Sequence, residues 1–214
     1  MMNVCHNCGE YRADKVIDPN GPFAVCPVCG FRHLFLQLPL LLVSGASETG
    51  KTAVHAALSG KIPQVVLLDS DILWRPEFDK PEENYRDYFE TWLRFCKNIS
   101  KSGRPVVLFG AGMGVPDNLE PCVERRYFGQ LHYLGLVCSD EVLEQRLRGR
   151  PAWRKSDQPD FIQAHLSFNR WFKEQAATMT PPIDLLDTSQ NSLETTAAQV
   201  AGWIKLKIGL YGNN

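Results

Sequence analysis

The chain has 214 residues, 44% hydrophobic and 22% charged, an ordinary globular balance sized for one medium domain plus a small module. Its formal net charge of −1 gives no reason to expect a nucleic-acid coat or binding to an anionic membrane. The longest apolar run, Leu34 to Val43, is too short to span a bilayer, and the opening residues show neither a cationic start nor an apolar core; a cytoplasmic chain without a signal peptide is expected.

Four of the seven cysteines come first, as the pairs Cys5/Cys8 and Cys26/Cys29, with the spacing C-x2-C-x17-C-x2-C. That spacing lies inside the range of zinc sites. Four thiolates fill a tetrahedral zinc shell and leave no open position, so Zn²⁺ would be structural here, with His6 and His33 as bystanders. Between the pairs, "YRADKVID" and "PFAVC" flank a turn at Pro19-Asn20-Gly21, which predicts a hairpin. A module this small buries too little apolar surface to fold without the metal. Residues 3–36 resemble the zinc ribbon family. The resemblance implies a metal knot and leaves its purpose open among stability, protein docking and nucleic-acid contact. The other cysteines, Cys96, Cys122 and Cys138, are scattered, which argues against a secreted disulfide framework.

From Leu38 onward, apolar strands alternate with helices. "LPLLLVSG" is a continuous apolar run that predicts a strand buried on both faces, followed by a helix from Lys51 to about Leu58. "QVVLLDSD" is a second strand. Glu82 to Ser100 carries aromatic and aliphatic residues at helical spacing. "RPVVLFGAG" is a third strand, "NLEPCVERRYF" a short helix, and "LHYLGLVC" a fourth strand. "SDEVLEQRLRGR" opens with a Ser-Asp cap and reads as a helix, as does Phe161 to Ala177. "PIDLLDTS" is the fifth strand and Leu193 to Lys207 the last helix. The expected fold is therefore α/β, a three-layer sandwich with a five-stranded parallel sheet. Ligands would bind at the carboxyl ends of the strands, where Gly45, Asp69, Gly110 and Asp187 fall.

"GASETGKT", Gly45 to Thr52, fits the phosphate-binding pattern G-x-x-x-x-G-K-[ST]. Its glycines let backbone N–H groups turn inward at phosphate oxygens, and the next helix adds its N-terminal dipole. In such a loop (Gly45, Ala46, Ser47, Glu48, Thr49, Gly50) Lys51 reaches the β- and γ-phosphates and Thr52 joins the Mg²⁺ shell. Glu48 is out of character beside phosphates and is expected to point outward. The GTPase signatures D-x-x-G and N-K-x-D are missing from their places, and the strand "VVLF" ends in Gly110 rather than an acid. The acids instead close the second strand. Asp69 and Asp71, two apart, would share one side of it, suited to metal binding and proton abstraction, or else to capping "ILW".

With its P-loop, the D-x-D of Asp69 and Asp71, "FGAGMG", "RLRGRPAWR" and "DTSQNSLET", the stretch from Leu38 to Leu210 resembles the P-loop small-molecule kinases, especially their shikimate- and gluconate-kinase-like branch. The resemblance implies ATP and Mg²⁺ as cofactors. It assigns Asp69 to the metal, Asp71 to the acceptor hydroxyl as base, and Gly110 and Gly112 to the acceptor pocket. It also favours Arg150, with Arg146, as the lid cations over the transferring phosphoryl group, and sets Asp187 beside the adenine. Guanidinium forks meet the charge that phosphoryl transfer builds on oxygen. The insert after Asp71 offers Arg75 and Arg86 for an anion and Trp74 and Tyr85 for a ring; Arg125 and Arg126 add cations near the Gly-rich turn.

The expected organisation is a zinc-ribbon module at 1–36 and a kinase-like domain at 37–214. The leading expectation is an ATP-dependent phosphotransferase acting on a hydroxyl of a small-molecule acceptor: nucleoside, sugar acid or antibiotic. The competing one is a nucleotide-switched regulatory protein whose ribbon docks on nucleic acid or a protein partner. Oligomeric state is not encoded in any feature of the sequence.

Overall fold

A computed structural model of the chain describes residues 3–209; the outer ends of both expected domains, 1–2 and 210–214, lie outside these. The first strands, β1 (Val16–Ile17), β2 (Phe23–Val25) and β3 (Arg32–Leu34), form an antiparallel sheet in that order. The β1–β2 hairpin turns at residues 18–22, where Asp18 accepts a hydrogen bond from the Asn20 amide. The third strand completes a ribbon of which the sequence had shown only the hairpin.

Next come β4 (Leu40–Ser44), α1 (Lys51–Leu58), β5 (Val66–Asp69), α2 (Arg86–Ser100) and β6 (Val106–Phe109). They are followed by α3 (Pro116–Leu119), β7 (Leu131–Val137), α4 (Asp140–Arg148), α5 (Pro159–Gln175), β8 (Ile183–Asp187) and α6 (Leu193–Gly209). The five long strands form one parallel sheet in the order β5-β6-β4-β7-β8. All five residues of β4 are buried. Alternation then sorts them: Leu40 and Leu42 pack with α2 and α5 on one face, through Trp92, Leu93 and Phe172. Leu41 and Val43 pack on the other, against Val54 and Leu58 of α1 and Val200 and Ile204 of α6. This is the three-layer α/β sandwich that continuous apolar strands demand. Chain order reverses at β4, with β6 on one side and β7 on the other, so a crevice opens at its carboxyl end.

Three local expectations change. The helix expected from Glu82 starts at Arg86, because Asn84 and Tyr85 take positive φ angles of 51° and 54° that no helix continues through. The single helix expected over "NLEPCVERRYF" is two pieces, α3 and a 3₁₀ turn at Val123–Tyr127. Asp71 is not on a strand: β5 ends at Asp69, and Ser70–Leu73 is a 3₁₀ turn that Asp69 caps by accepting from the Asp71 amide at 2.9 Å.

The ribbon is seated on α2 and the 123–127 turn through a buried polar node. Glu124 takes hydrogen bonds from Lys97, from Arg94 at 2.9 Å and from Asn3 at 3.1 Å. Lys97 also donates to the Asn3 side chain at 2.6 Å and stands over the Tyr127 ring at 4.0 Å. Lys15, fully buried, donates to the carbonyls of Asn3 and Arg12. Phe35 packs edge-on against Tyr127.

Candidate active site

The loop from Gly45 to Thr52 joins β4 to α1. Gly45 has no room for a side chain: a Cβ there would lie 2.3 Å from the Leu136 carbonyl oxygen and 2.6 Å from Thr49 Oγ1. Thr49 is buried and donates back to the Ala46 carbonyl at 2.9 Å, while Ala46 packs against Cys138 and Leu143. Gly45, Ala46 and Thr49 thus form the floor. Ser47, Glu48, Gly50, Lys51 and Thr52 face a cleft of about 860 Å³.

Opposite the loop, Asp69 and Asp71 share a wall of that cleft with Gly110. Gly110 lets β6 and the Ser70 turn meet, since a Cβ on it would fall 2.0 Å from Ser70 Oγ. The third wall is cationic: Arg146, Arg150 and Arg154, with Trp153, come from the end of α4 and the segment behind it. Arg146 is fixed by donating to the Thr188 carbonyl at 2.8 Å and to the Glu48 carbonyl at 3.4 Å, which ties the loop after β8 to the phosphate loop.

Burial pushes the Lys51 ammonium down to about 8, against the pull of Asp71, Glu48 and Asp69. Its hydrogen bonds go to the carbonyls of Gly45 and Ala46, each at 2.8 Å. A half-buried cation whose hydrogen bonds go to neutral carbonyls suits a polyphosphate. Burial and the neighbouring Asp69 raise the Asp71 carboxyl above its usual range, and Lys51 opposes them. Thr52 and the second oxygen of Asp69 are the donors in the cleft that suit a hard divalent cation such as Mg²⁺.

Several expected site residues do not line this cleft. Arg75 is outside the cleft lining; its guanidinium lies 4.7 Å over the Phe78 ring and 3.7 Å from Glu77. Gly112 faces Phe89. Asp187 accepts from Ser189 at the end of β8. Arg86 donates to the Asn118 carbonyl and Cys122 Sγ, Arg125 pairs with Glu120, and Arg126 donates to the Lys15 carbonyl, so all three are committed to structure. Glu48 does not point outward: it lines the cleft and pairs with Arg150 at 2.9 Å. His165 of α5 carried no sequence signal, yet its Nδ1 accepts the Ser47 amide at 3.3 Å, bracing the loop.

In the ribbon, the four Sγ atoms of Cys5, Cys8, Cys26 and Cys29 all lie within 4.8 Å of one another. Cys5 and Cys29 are 3.6 Å apart, Cys8 and Cys26 3.9 Å. Zinc–sulfur bonds of about 2.3 Å in a tetrahedron give edges of about 3.8 Å, so the four thiols fit one Zn²⁺. Among the described residues, no helix is long and apolar enough to cross a membrane.

No protein-family model matches the chain, and no curated protein sequence does. Solved structures do. A sugar kinase from Janibacter sp. HTCC2649 superposes with a TM-score of 0.59 at 13% identity, over 80% of this chain and 97% of that one. A gluconokinase from Sinorhizobium meliloti 1021 gives 0.55 at 22% identity, over 83% and 98%. The tunicamycin resistance protein of Deinococcus radiodurans gives 0.54 at 16%, over 78% and 95%. These likenesses, together with the strand order and the loop after β4, show that beyond its amino-terminal ribbon the chain has the fold of the P-loop kinases.

Proposed function

We propose that the protein is an ATP- and Mg²⁺-dependent phosphotransferase that phosphorylates a hydroxyl of a small molecule. The observation that carries this reading is the convergence of Lys51, the acid pair Asp69/Asp71 and the arginines 146, 150 and 154 on one cleft at the carboxyl end of the sheet. Likeness to a sugar kinase and a gluconokinase supports a polyhydroxylated acceptor.

Each residue then has a task. The loop amides and Lys51 bind the phosphates, and Thr52 and Asp69 would hold Mg²⁺, which would neutralise phosphate charge. Asp71 takes the acceptor hydroxyl proton, and its raised pKa favours that role. Arg150 and Arg146 meet the charge on the transferring group. The 150–154 segment excludes water and so suppresses hydrolysis. Exposed Trp153 lines the cleft with Arg154 4.7 Å over its ring, and an aromatic ring there suits a sugar or base. Zinc in the ribbon is structural in this reading.

The test is ADP release from Mg·ATP across pooled sugars, sugar acids, nucleosides and aminoglycoside-like alcohols, with Asp71→Asn alongside. Stimulation by one pool that vanishes in the variant supports the reading and names the acceptor class. ATP binding with no stimulation by any pool points instead to a nucleotide-switched regulator.

A further inference from the structure

Glu48 occupies a backbone position at φ 65°, the left-handed region that glycine enters freely and a side chain does not. The chain nevertheless keeps a carboxylate there. That carboxylate lies between two cations: it pairs with Arg150 Nε at 2.9 Å and pulls the Lys51 pKa upward. Arg150 is only 19% exposed in this pair and Glu48 32%, so water screens it less than an open surface contact. The lid arginine is therefore held at the phosphate loop by an anion belonging to the loop itself.

We propose that Glu48 is a phosphate-mimicking latch that discriminates the triphosphate from the diphosphate state. It holds Arg150 while the γ-phosphate position is empty and yields it when a triphosphate presents a stronger anion. After transfer, with the γ-phosphoryl group gone, Arg150 returns to Glu48 and the lid resets with ADP still bound. A ligand that needs Arg150 must break the pair; one that does not leaves it intact. The proposal rests on the phosphotransferase reading and on the role given there to Arg150.

The experiment is calorimetric binding of Mg·ADP and of a Mg-bound ATP analogue with a non-hydrolysable β–γ bridge. It compares the unaltered protein, Glu48→Gln, Arg150→Gln and the double variant. Glu48→Gln should tighten the triphosphate analogue about three- to tenfold and change ADP by less than about twofold. The gain should vanish in the Arg150→Gln background, as a double-mutant cycle requires of a direct pair. Equal gains for both nucleotides would make Glu48 a plain repulsive charge and overturn the latch, as would a gain that persists without Arg150. Should Glu48→Gln fold poorly, Glu48→Gly, which the backbone favours, carries the same expectations. If the unaltered protein binds neither nucleotide, the phosphotransferase reading itself fails, an outcome separate from the two that overturn the latch alone.

Discussion

The Tyr88 hydroxyl donates a 2.7 Å hydrogen bond to the carbonyl of Ser70, the residue between Asp69 and Asp71. Tyr88 belongs to α2 and is buried, and Trp74 packs edge-on against it at 5.2 Å. Helix α2 thus grips the acid pair by its backbone. Removing the hydroxyl leaves a buried carbonyl short of a donor, so Tyr88→Phe should cost about 1 kcal/mol of stability in denaturant unfolding. It should also lower turnover while leaving nucleotide affinity unchanged.

Asp71→Asn should lower kcat by about 10²- to 10⁴-fold, the usual worth of a positioned general base. Calorimetry should find its Mg·ATP affinity within about twofold of the unaltered protein, because Asp71 is assigned to the acceptor and not to the nucleotide. A parallel loss of ATP binding would move Asp71 to the metal side.

The pH dependence of kcat/KM for ATP follows from two groups. Lys51 must be charged to hold phosphate, and its pKa of about 8 means the active form is present below that pH and lost above it. Asp71 must be ionised to act as base, and its raised pKa means activity is lost as pH falls through a value above the ordinary carboxylate range. The profile should be a bell whose alkaline limb near pH 8 belongs to the free enzyme. A profile flat from pH 6 to 9 would contradict the Lys51 assignment.

Two neighbouring glycines should behave differently. Gly110→Ala forces a Cβ to within 2.0 Å of Ser70 Oγ and 2.7 Å of Ser70 Cβ, displacing the turn that carries Asp71 and that Asp69 caps. Gly112→Ala meets nothing nearer than Phe89 at 3.4 Å, an ordinary contact. The first substitution should cost at least about 1–3 kcal/mol by overpacking, and most of the activity; the second should be nearly silent in both assays.

Metal analysis should find one zinc per chain, and Cys8→Ser should lose it. The ribbon's seat on α2 and the 123–127 turn makes a further prediction. Lys97→Met leaves Glu124 buried with too little positive charge, which should cost about 3–5 kcal/mol. Lys97→Met combined with Glu124→Met should recover much of that loss, because no stranded charge remains.

What was legible in the sequence follows from how local the physics is. The central strands β6, β4 and β7 show because a strand buried on both faces must be apolar throughout, and the phosphate loop shows because glycine and lysine are needed at fixed offsets. The start of α2 did not show: Asn84 and Tyr85 hold positive φ without being glycine, so nothing in their identity marks a helix boundary. Glu48 was misplaced because its partner, Arg150, is about a hundred positions away and only the tertiary fold brings the two together. His165 and the Asn3–Lys97–Glu124 node are likewise pairings across distant segments, invisible to periodicity or motif. Arg75, Arg86, Arg125 and Arg126 show the converse: basic residues near a motif in sequence can be spent on aromatic faces, carbonyls and sulfur.

The seating of Asn3 also bears on the order in which the protein can be made. Asn3 is 94 positions from Lys97 and 121 from Glu124. During synthesis the ribbon leaves the ribosome long before its seat exists. It must close its four-cysteine knot alone, or wait unfolded, while α2 and the 123–127 turn are still being translated. Its final closure is a long-range contact and therefore a late one. A chain whose knot stayed open would form its sheet with Lys97 and Glu124 lacking Asn3, a species open to proteases and chaperones.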